Sequence, residues 1–431
     1  MPAPLAPLSR RRLLAGAVPA GAAALAFPAL VSAQAASARV VVVGGGFGGA
    51  TAARYLRRYA PGLQVTLVEP AARFVTCPFS NHVLAELRTL DSISHGYADL
   101  RATGVHVLHA TAQDVDAGAR TLRLSDGQAL AWDRLVLSPG VDMRWDALEG
   151  YGEAAAQRAP HAWKAGEQTL LLRRQLQAME DGGTFVMAIP DNPYRCPPGP
   201  YERAALVAHY LQQHKPRSKV LLLDAKNNFS KKELFLQGWR QLYGAMVEWV
   251  PLAQDGQVVR VDAAALQVET LFGERHRADV LNVIPPQRAG LIAQRAGVCD
   301  ASGWAPVQGE DLQSRLVPGI HVLGDAAQAG PIPKSGFAAS HQGRVAAAAI
   351  AAALTGQPPP AAWYANTCYS LLAPGHGISV SGVYRASAGR IVALPHAVGT
   401  SALDGGARLR ADEARHGAAW YAAISADIWG G

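Results

Sequence analysis

The stretch Arg39-Val-Val-Val-Val-Gly-Gly-Gly-Phe-Gly-Gly49 decides the fold of this chain. Its four consecutive valines are typical of a parallel strand that is buried on both faces, and the glycines end that strand. Gly44, Gly46 and Gly49 have G-x-G-x-x-G spacing, and residues 50–56 favour a helix. In this arrangement the first glycine permits a tight turn, the second lets a pyrophosphate approach the backbone, and the third lets helix and strand pack closely.

The next predicted strand adds a second part of the same pattern. Residues 64–68 are mainly apolar, and they end at Glu69, about 20 residues beyond the glycines. An acidic side chain at this place accepts a hydrogen bond from a ribose hydroxyl, and the helix N-terminus favours phosphate. Glycines alone could also form a turn without a ligand, but the combination predicts a dinucleotide site.

A later strand, Ile320-His-Val-Leu-Gly-Asp325, indicates which dinucleotide is bound. In two-dinucleotide flavoproteins an apolar strand that ends in Gly-Asp places a carboxylate beside the ribityl chain of FAD. Asp325 therefore predicts FAD, and the alternative is an ordinary turn residue at a strand end. Lys334 comes just before a long Ala-rich helix. It is a candidate for the pyrimidine end of the flavin, or else an exposed lysine at a helix start.

A second α/β unit lies between these motifs. Residues 183–190 predict a buried strand, and residues 219–223 predict another that ends in Asp224. The loop after the first of these strands contains Pro197, Pro198 and Pro200 where a nicotinamide-binding loop would carry glycines. Proline removes a backbone donor and fixes φ, so this loop is a poor phosphate cradle. We expect a unit that resembles an NAD domain but lacks its phosphate loop.

The N-terminal residues 1–35 have the features of an export signal. Arg10, Arg11 and Arg12 precede an apolar run over residues 15–31, and Ala33-Gln-Ala35 supplies small residues for cleavage. Consecutive arginines followed by leucines indicate the twin-arginine pathway, so a periplasmic location is expected. A membrane anchor that stays attached is the alternative.

Composition limits the partners of the chain. The formal net charge is +7, or 7 − 3 = +4 without Arg10, Arg11 and Arg12 of the predicted signal. This mild excess, with no Lys/Arg run in the expected mature chain, disfavours nucleic acid as a partner. No second long apolar segment follows the N-terminal one, so no spanning segment is expected in the mature chain. The four cysteines form neither C-x-x-C nor C-x-x-C-H, which disfavours zinc and covalent haem in this chain. No metal ligands are predicted.

Three cysteine segments carry a resemblance to a known family. They are Val75-Thr-Cys-Pro-Phe-Ser-Asn81, Asn192-Pro-Tyr-Arg-Cys-Pro-Pro-Gly-Pro-Tyr-Glu-Arg203 and Asn366-Thr-Cys-Tyr-Ser-Leu371. With them the chain resembles the flavoprotein subunit of flavocytochrome c sulfide dehydrogenase. The resemblance implies an α/β fold with two dinucleotide-binding, Rossmann-like domains of the disulfide-oxidoreductase type, followed by a small α+β C-terminal domain.

On this basis we divide the chain into segments with distinct expected roles. Residues 36–155 and 286–356 form the FAD-binding domain in two pieces, and residues 156–285 form the second, NAD-domain-like unit. Residues 357–431 form a C-terminal domain of the flavocytochrome type. The export signal, 1–35, precedes them.

The resemblance also implies roles for individual residues. Cys77 would carry FAD through a thioether, and its alternative is a buried free cysteine. Cys196 and Cys368 would form a redox disulfide beside the flavin, rather than a purely structural bridge. Glu202 matches a candidate acid/base, although a first-turn helix acid is an equal alternative. Cys299 has no role in the family pattern and is expected to pack as a small hydrophobe.

The function implied by the resemblance is oxidation of sulfide to sulfur or polysulfide. Electrons would pass through the redox disulfide and FAD to a c-type cytochrome subunit in a heterodimer. The runner-up is sulfide:quinone oxidoreductase, which uses similar cysteines but attaches to a membrane. A third hypothesis, from another class, is a non-catalytic assembly subunit that retains FAD.

Overall fold

The computed structural model describes residues 37–430, and these residues form one compact unit. The predicted export signal lies outside the described residues. The strands, in chain order, are β1 (Arg39–Val43), β2 (Gln64–Val68), β3 (Phe74–Val75), β4 (Ser94–His95), β5 (His106–Leu108), β6 (Ala112–Asp116), β7 (Thr121–Leu124), β8 (Ala129–Ala131), β9 (Arg134–Leu137), β10 (Val141–Met143), β11 (Thr184–Ile189), β12 (Lys219–Asp224), β13 (Val247–Val250), β14 (Val258–Asp262), β15 (Gln267–Thr270), β16 (Arg275–Arg277), β17 (Val280–Val283), β18 (Gln287–Ala289), β19 (Ala305–Pro306), β20 (Ile320–Val322), β21 (Ala327–Gln328), β22 (Trp363–Ala373), β23 (His376–Ser387) and β24 (Arg390–Thr400).

The α-helices alternate with the strands through most of the chain. They are α1 (Phe47–Tyr59), α2 (Ser80–Leu84), α3 (Ala98–Ala102), α4 (Glu167–Ala178), α5 (Gly199–His214), α6 (Lys232–Tyr243), α7 (Leu291–Arg295), α8 (Gly336–Thr355) and α9 (Ala407–Trp429).

The first large sheet is parallel and has the order β20-β9-β1-β2-β5. Its central strand β1 carries the valine run, and all four valines are buried, as expected of a strand covered on both faces. Helices α1 and α8 pack together here. A Cβ added to Gly343 of α8 would lie 2.5 Å from the carbonyl oxygen of Gly48 in α1, so glycine permits the close approach.

The second large sheet is also parallel, with the order β13-β12-β11-β17. Helix α5 follows β11 directly, and its apolar face packs into the core of this sheet. After α8 the chain forms the antiparallel sheet β22-β23-β24, and the long helix α9 packs on it. This arrangement confirms the predicted α/β fold class with two Rossmann-like units. The predicted domain boundaries stay predictions.

The sequence pattern predicts helices over residues 204–213, 82–87 and 344–354, and the structure corrects the bounds of all three. The helix expected over residues 204–213 begins earlier, at Gly199, with Pro200 in its first turn. A first-turn N–H has no partner within the helix, so proline there removes no hydrogen bond. The helix expected over residues 82–87 is the shorter Ser80–Leu84, and the Ala-rich helix expected over 344–354 is α8, which begins at Gly336.

Candidate active site

The glycine-rich loop has the shape that a dinucleotide requires. Gly44 has a φ of +98°, and a Cβ added there would lie 2.3 Å from the carbonyl oxygen of Ser138. A Cβ on Gly49 would lie 1.9 Å from the carbonyl oxygen of Gly44. Gly46 caps α1 with no side-chain hydrogen bond to its first turn. The first N–H groups of α1 are thereby left for an anionic ligand such as pyrophosphate.

Glu69 lies at the predicted place beside this loop. Its Oε2 accepts a hydrogen bond from the backbone N–H of Gly45 at 2.7 Å, and its Oε1 accepts one from Ala71 at 2.9 Å. A carboxylate oxygen accepts more than one hydrogen bond, so a ribose hydroxyl can be added without breaking either contact. The glycines and Glu69 therefore fit the adenosine diphosphate half of FAD.

Asp325 supplies a second sign that a ligand belongs here. It lies at the end of β20, and its Oδ1 is buried without a hydrogen-bond partner in the described part of the chain. Burial raises the pKa of its carboxyl, while Arg195 and Lys334 oppose that shift. Because a buried acceptor without a partner is costly, the donor is expected to come from a bound molecule. A ribityl hydroxyl of FAD has the required chemistry.

Lys334 is not the exposed helix-start lysine that was the sequence alternative. Its Nζ donates to the carbonyl oxygens of Asp325 at 2.7 Å and Ala327 at 2.8 Å, and it lies 3.9 Å from the ring centre of Trp304. Burial lowers its pKa to about 8. Its own carbonyl oxygen accepts from the N–H of Cys196 at 2.8 Å, so Lys334 joins the Asp325 turn to the cysteine loop.

A cleft brings together four residues that the sequence analysis singled out. Cys77 reaches it from the loop after β3, Cys196 from the loop before α5, Glu202 from the first turn of α5, and Cys368 from β22. These residues come from all parts of the chain, so only the tertiary fold makes them neighbours. Trp420 of α9 lines the cleft too.

Cys196 is held in an unusual backbone conformation. Its φ is +57°, in the left-handed region, and its carbonyl oxygen accepts from Gly199 N–H at 2.8 Å. A Cβ added to Gly199 would lie 3.0 Å from the Cys196 sulfur, so glycine leaves room for that side chain. Burial raises the pKa of the Cys196 thiol well above its ordinary value, and the nearby Cys368 adds to this. The cysteines at 77, 196, 299 and 368 are all thiols in the structure.

Glu202 lies between α5 and β22. Its Oε1 accepts from the N–H of Leu371 at 2.9 Å, and its Oε2 accepts from Nδ2 of Asn81 at 2.9 Å. Burial raises the pKa of its carboxyl, against the effects of these two hydrogen bonds and of two nearby cations. Glu202 is in the first helical turn, as expected, but its side chain bonds to other elements. Both carboxylate oxygens are therefore engaged outside the first turn of α5, and the acid/base role of Glu202 stays a prediction.

Sequence reasoning missed three cations around the cysteines: Arg195, Arg203 and Lys231. Arg203 is buried and donates to Oδ1 of Asn81 at 3.0 Å and to Oδ1 of Asn282 at 2.9 Å. Arg195 lies 4.0 Å from Asp325. Basic residues are ordinary in loops and at helix starts, where these three lie, so the sequence contains no signal that marks them as buried.

Cys77 and Cys299 have different surroundings. The Cys77 sulfur lies 3.5 Å from the carbonyl oxygen of Trp163 at the edge of the cleft. Cys299 is half-buried against the core of the first sheet, away from the cleft lining, and burial raises its pKa to about 11. This placement agrees with the expected packing role for Cys299.

Residues 37–430 contain neither a candidate metal cluster nor a bilayer-spanning helix. No group of three or more His, Cys, Asp or Glu side chains there is arranged to hold a metal ion. Among the helices of the same residues, none combines the length and apolar character needed to cross a bilayer.

Comparison with known protein families defines the class of this chain. Residues 38–176 match the family described as pyridine nucleotide-disulphide oxidoreductase. Residues 169–285 match the central part of the sulfide dehydrogenase [flavocytochrome c] flavoprotein chain, and residues 360–429 match the flavin-binding part of flavocytochrome c sulphide dehydrogenase. The chain belongs to the family of flavocytochrome c sulfide dehydrogenase flavoprotein chains.

One short relative has the description of this family, and two longer matches at lower identity are sulfide:quinone oxidoreductases. The sulfide dehydrogenase [flavocytochrome c] flavoprotein chain of Chlorobaculum thiosulfatiphilum is 71% identical over 45 residues, which are 10% of this chain and 94% of that sequence. The mitochondrial sulfide:quinone oxidoreductase of Mus musculus is 23% identical, and the match covers 66% of this chain and 65% of the mouse protein. The crystal structure of sulfide:quinone oxidoreductase from Aquifex aeolicus superposes with a TM-score of 0.69 at 18% identity, covering 91% of this chain and 92% of that one.

Proposed function

We propose that this chain oxidises sulfide with a redox cysteine pair and FAD, and that it passes the electrons to a c-type cytochrome subunit. The observation that carries the proposal is the cleft in which Cys77, Cys196, Cys368 and Glu202 meet. Membership of the sulfide dehydrogenase flavoprotein family supports the same substrate. A non-catalytic assembly subunit would have no need for this combination.

The proposed capture of substrate is a thiol–disulfide exchange. In the oxidised protein Cys196 and Cys368 are joined, and HS⁻ attacks one sulfur of the bridge. The bond between the two cysteine sulfurs breaks, and a new sulfur–sulfur bond forms a persulfide on one cysteine. The other cysteine leaves as a thiolate that carries the electron pair. Sulfide has no shape to recognise, so covalent capture is a suitable means of holding it.

The chain's own residues perform two further tasks. Gly44, Gly46, Gly49, Glu69 and Asp325 would hold FAD, which when bound would accept an electron pair and release single electrons to a haem. Glu202, whose pKa is raised by burial, would take the proton of the incoming sulfide and return it to solvent.

The test is anaerobic titration of the purified protein with sulfide, followed by flavin absorbance. Sulfide should bleach the flavin of the native protein, and Cys196→Ser should reduce the rate by at least about a hundredfold. Cys299→Ser is the matched control, because that cysteine lies outside the cleft. Full bleaching rates in Cys196→Ser would contradict the redox-pair mechanism.

We also propose a covalent link between Cys77 and FAD. Cys77 lines the same cleft, and Arg195 and Arg203, two cations, are close to it. After denaturation and precipitation the yellow colour should stay with the protein, and Cys77→Ser should release it to the supernatant. Loss of all colour from the native protein would refute the link.

The acceptor distinguishes this proposal from sulfide:quinone oxidoreductase. The native protein should reduce a soluble cytochrome c with sulfide and should leave a soluble quinone oxidised. The mouse and Aquifex relatives are named for quinone, so the opposite result would support the runner-up.

The export proposal has its own test. A fusion of residues 1–35 to a folded reporter should reach the periplasm, and replacing Arg10, Arg11 and Arg12 by lysine should keep it in the cytoplasm. Export that does not depend on these arginines would refute the twin-arginine pathway.

A further inference from the structure

Lys231 is a buried cation that lacks a carboxylate partner. It precedes α6 with a φ of +64°, and only 6% of the residue is exposed. Among the other buried cations, Lys226 lies 2.6 Å from Asp224 and Arg410 lies 3.4 Å from Glu413. Arg203 also has no ion-pair partner in the described chain, but it makes four hydrogen bonds to neutral oxygens. Within residues 37–430, no carboxylate oxygen lies within 4.0 Å of the Lys231 ammonium. A buried charge is costly unless something compensates it, so this lysine needs an explanation.

The contacts of Lys231 place its ammonium next to the cysteine strand. Its Nζ donates to the carbonyl oxygen of Cys368 at 3.0 Å and to Oγ of Ser370 at 2.8 Å. Side chains two residues apart on a strand point to the same face, so the ammonium lies on the face of β22 that carries the Cys368 sulfur. Both acceptors are neutral. One of the three ammonium donors has no acceptor among these contacts, and the positive charge remains unbalanced.

Other charged or titratable groups face this ammonium from the surrounding elements. Each of these side chains interacts with Lys231 most strongly when it is negative, and none of the four side chains accepts a hydrogen bond from the Lys231 ammonium. They are Cys196 from the loop before α5, Glu202 from α5, Cys368 from β22 and Glu413 from α9. Burial lowers the pKa of Lys231 to about 8 despite these neighbours. The amine is therefore still largely protonated near neutral pH, and an added negative charge at the cysteines would strengthen that state.

We propose that Lys231 is the positioning cation that stabilises the thiolate released at Cys368 when HS⁻ opens the bridge to Cys196. In that step HS⁻ bonds to the Cys196 sulfur, the bond between Cys196 and Cys368 breaks, and its electron pair stays on the Cys368 sulfur. The entry of HS⁻ adds one negative charge to the site, and the positive charge of Lys231 balances that added charge. The inference rests on the proposed function, because it assumes that this pair is the redox disulfide.

A direct test measures the thiolate rather than turnover. The holoprotein is reduced, and the rate of alkylation of Cys368 by iodoacetamide is followed by peptide mass spectrometry as a function of pH. Lys231→Gln is the informative variant, because the amide can still donate to the Cys368 carbonyl and to Ser370 but carries no charge. We expect the midpoint of the alkylation profile to rise by at least about one pH unit, which is a tenfold loss of thiolate below the midpoint.

Two comparisons keep the test decisive. Lys231→Arg retains a positive charge and should keep the midpoint near that of the native protein. Lys232→Met removes the neighbouring lysine, whose Nζ contacts the exposed carbonyl of Asn227 at 3.4 Å, and should leave the profile unchanged. An unchanged midpoint in folded Lys231→Gln would overturn the proposal and leave Lys231 as a structural tether.

The outcome separates this inference from the proposed function. If sulfide bleaches the flavin of the native protein and Lys231→Gln has a normal alkylation profile, only the role of Lys231 is wrong. If the profile shifts but sulfide does not bleach the flavin, Lys231 tunes the thiolate of a site with another substrate.

Discussion

The two parallel sheets each have a carboxylate at the strand end where a nucleotide would bind, but the surroundings of the two carboxylates are opposite. At the end of β2, Glu69 accepts only backbone N–H groups in the described chain, from Gly45 and Ala71, and has capacity for a ligand. At the corresponding end of β12, Asp224 is fully buried. It accepts from Tyr201 at 2.6 Å, from Lys226 at 2.6 Å and from Trp249 at 3.0 Å.

The loops after β1 and β11 differ in the same way, since only the first leaves room for a nucleotide. The loop after β1 is held open by glycines, whereas the segment after β11 carries prolines and the Cys196 thiol. Aromatic side chains fill the space next to Asp224, with the rings of Tyr201 and Phe229 stacked at 3.5 Å between centroids. The second unit therefore has no accessible carboxylate for a ribose at that strand end, because Asp224 is fully buried, and its loop presents sulfur to the cleft. A repeated fold can thus keep its framework while the chemistry of one copy changes.

The largest expected effect, a loss of stability together with loss of the flavin, comes from closing the first loop. Gly49→Ala would place a Cβ 1.9 Å from the carbonyl oxygen of Gly44, which is backbone and cannot move aside. The cost should be about 3 kcal/mol or more, with loss of flavin from any protein that folds. Flavin absorbance per protein and thermal unfolding measure both effects. Gly62→Ala is the control, because nothing lies within 4 Å of its added Cβ, and equal flavin content in the two variants would contradict the assigned role of the loop.

The next effect tests whether the stability of the second unit depends on the buried ion pair between Asp224 and Lys226. Asp224→Asn leaves the Lys226 ammonium buried without its counter-charge, which should reduce the free energy of unfolding by about 3–5 kcal/mol. Flavin content of the folded variant should not change. Asp181→Asn is the control, since its pair with Arg217 at 2.7 Å is on the surface, where solvent screens it and its loss should change stability little. Chemical denaturation measures the difference, and equal losses in the two variants would show that the Asp224 network is dispensable.

A smaller effect concerns the pH dependence of stability at Glu202. Burial raises its folded pKa above the ordinary value of 4.5, so the folded state binds the proton more tightly than the unfolded state does. The contribution of this group to stability is greatest below its ordinary pKa and is lost as the pH rises through the raised one. Glu202→Gln should remove that part of the slope, so the variant gains stability relative to the native protein across this window.

The measurement for Glu202 is urea unfolding at several pH values between about 4 and 8. A constant offset between variant and native protein is expected from the altered contacts with Asn81 and does not decide the matter. Parallel stability curves for the two proteins would show that the Glu202 pKa is not raised in the folded state.

Much of the first unit could be predicted because its signals are local. The valine run, the glycine spacing and Glu69 lie within one short stretch, and backbone preference alone connects them. The bounds around α5 were harder to predict, since prolines usually stop a helix. Here Pro200 lies in the first turn, where no helical N–H partner is lost. The left-handed backbone conformation of Cys196, just before that helix, could not be predicted from the spacing of the cysteines and prolines.

Local sequence patterns are enough to predict the fold class, the strand that begins the fold and the cysteines of the candidate site. Tertiary packing brings the Glu202 carboxylate to the backbone of β22 and the Lys334 ammonium to backbone carbonyl oxygens. It also places the Lys231 ammonium against the carbonyl oxygen of Cys368. The physical reason is the range of each effect. Turn and strand preferences depend on adjacent residues, whereas burial and the charge balance of a thiol depend on side chains that are distant in the chain.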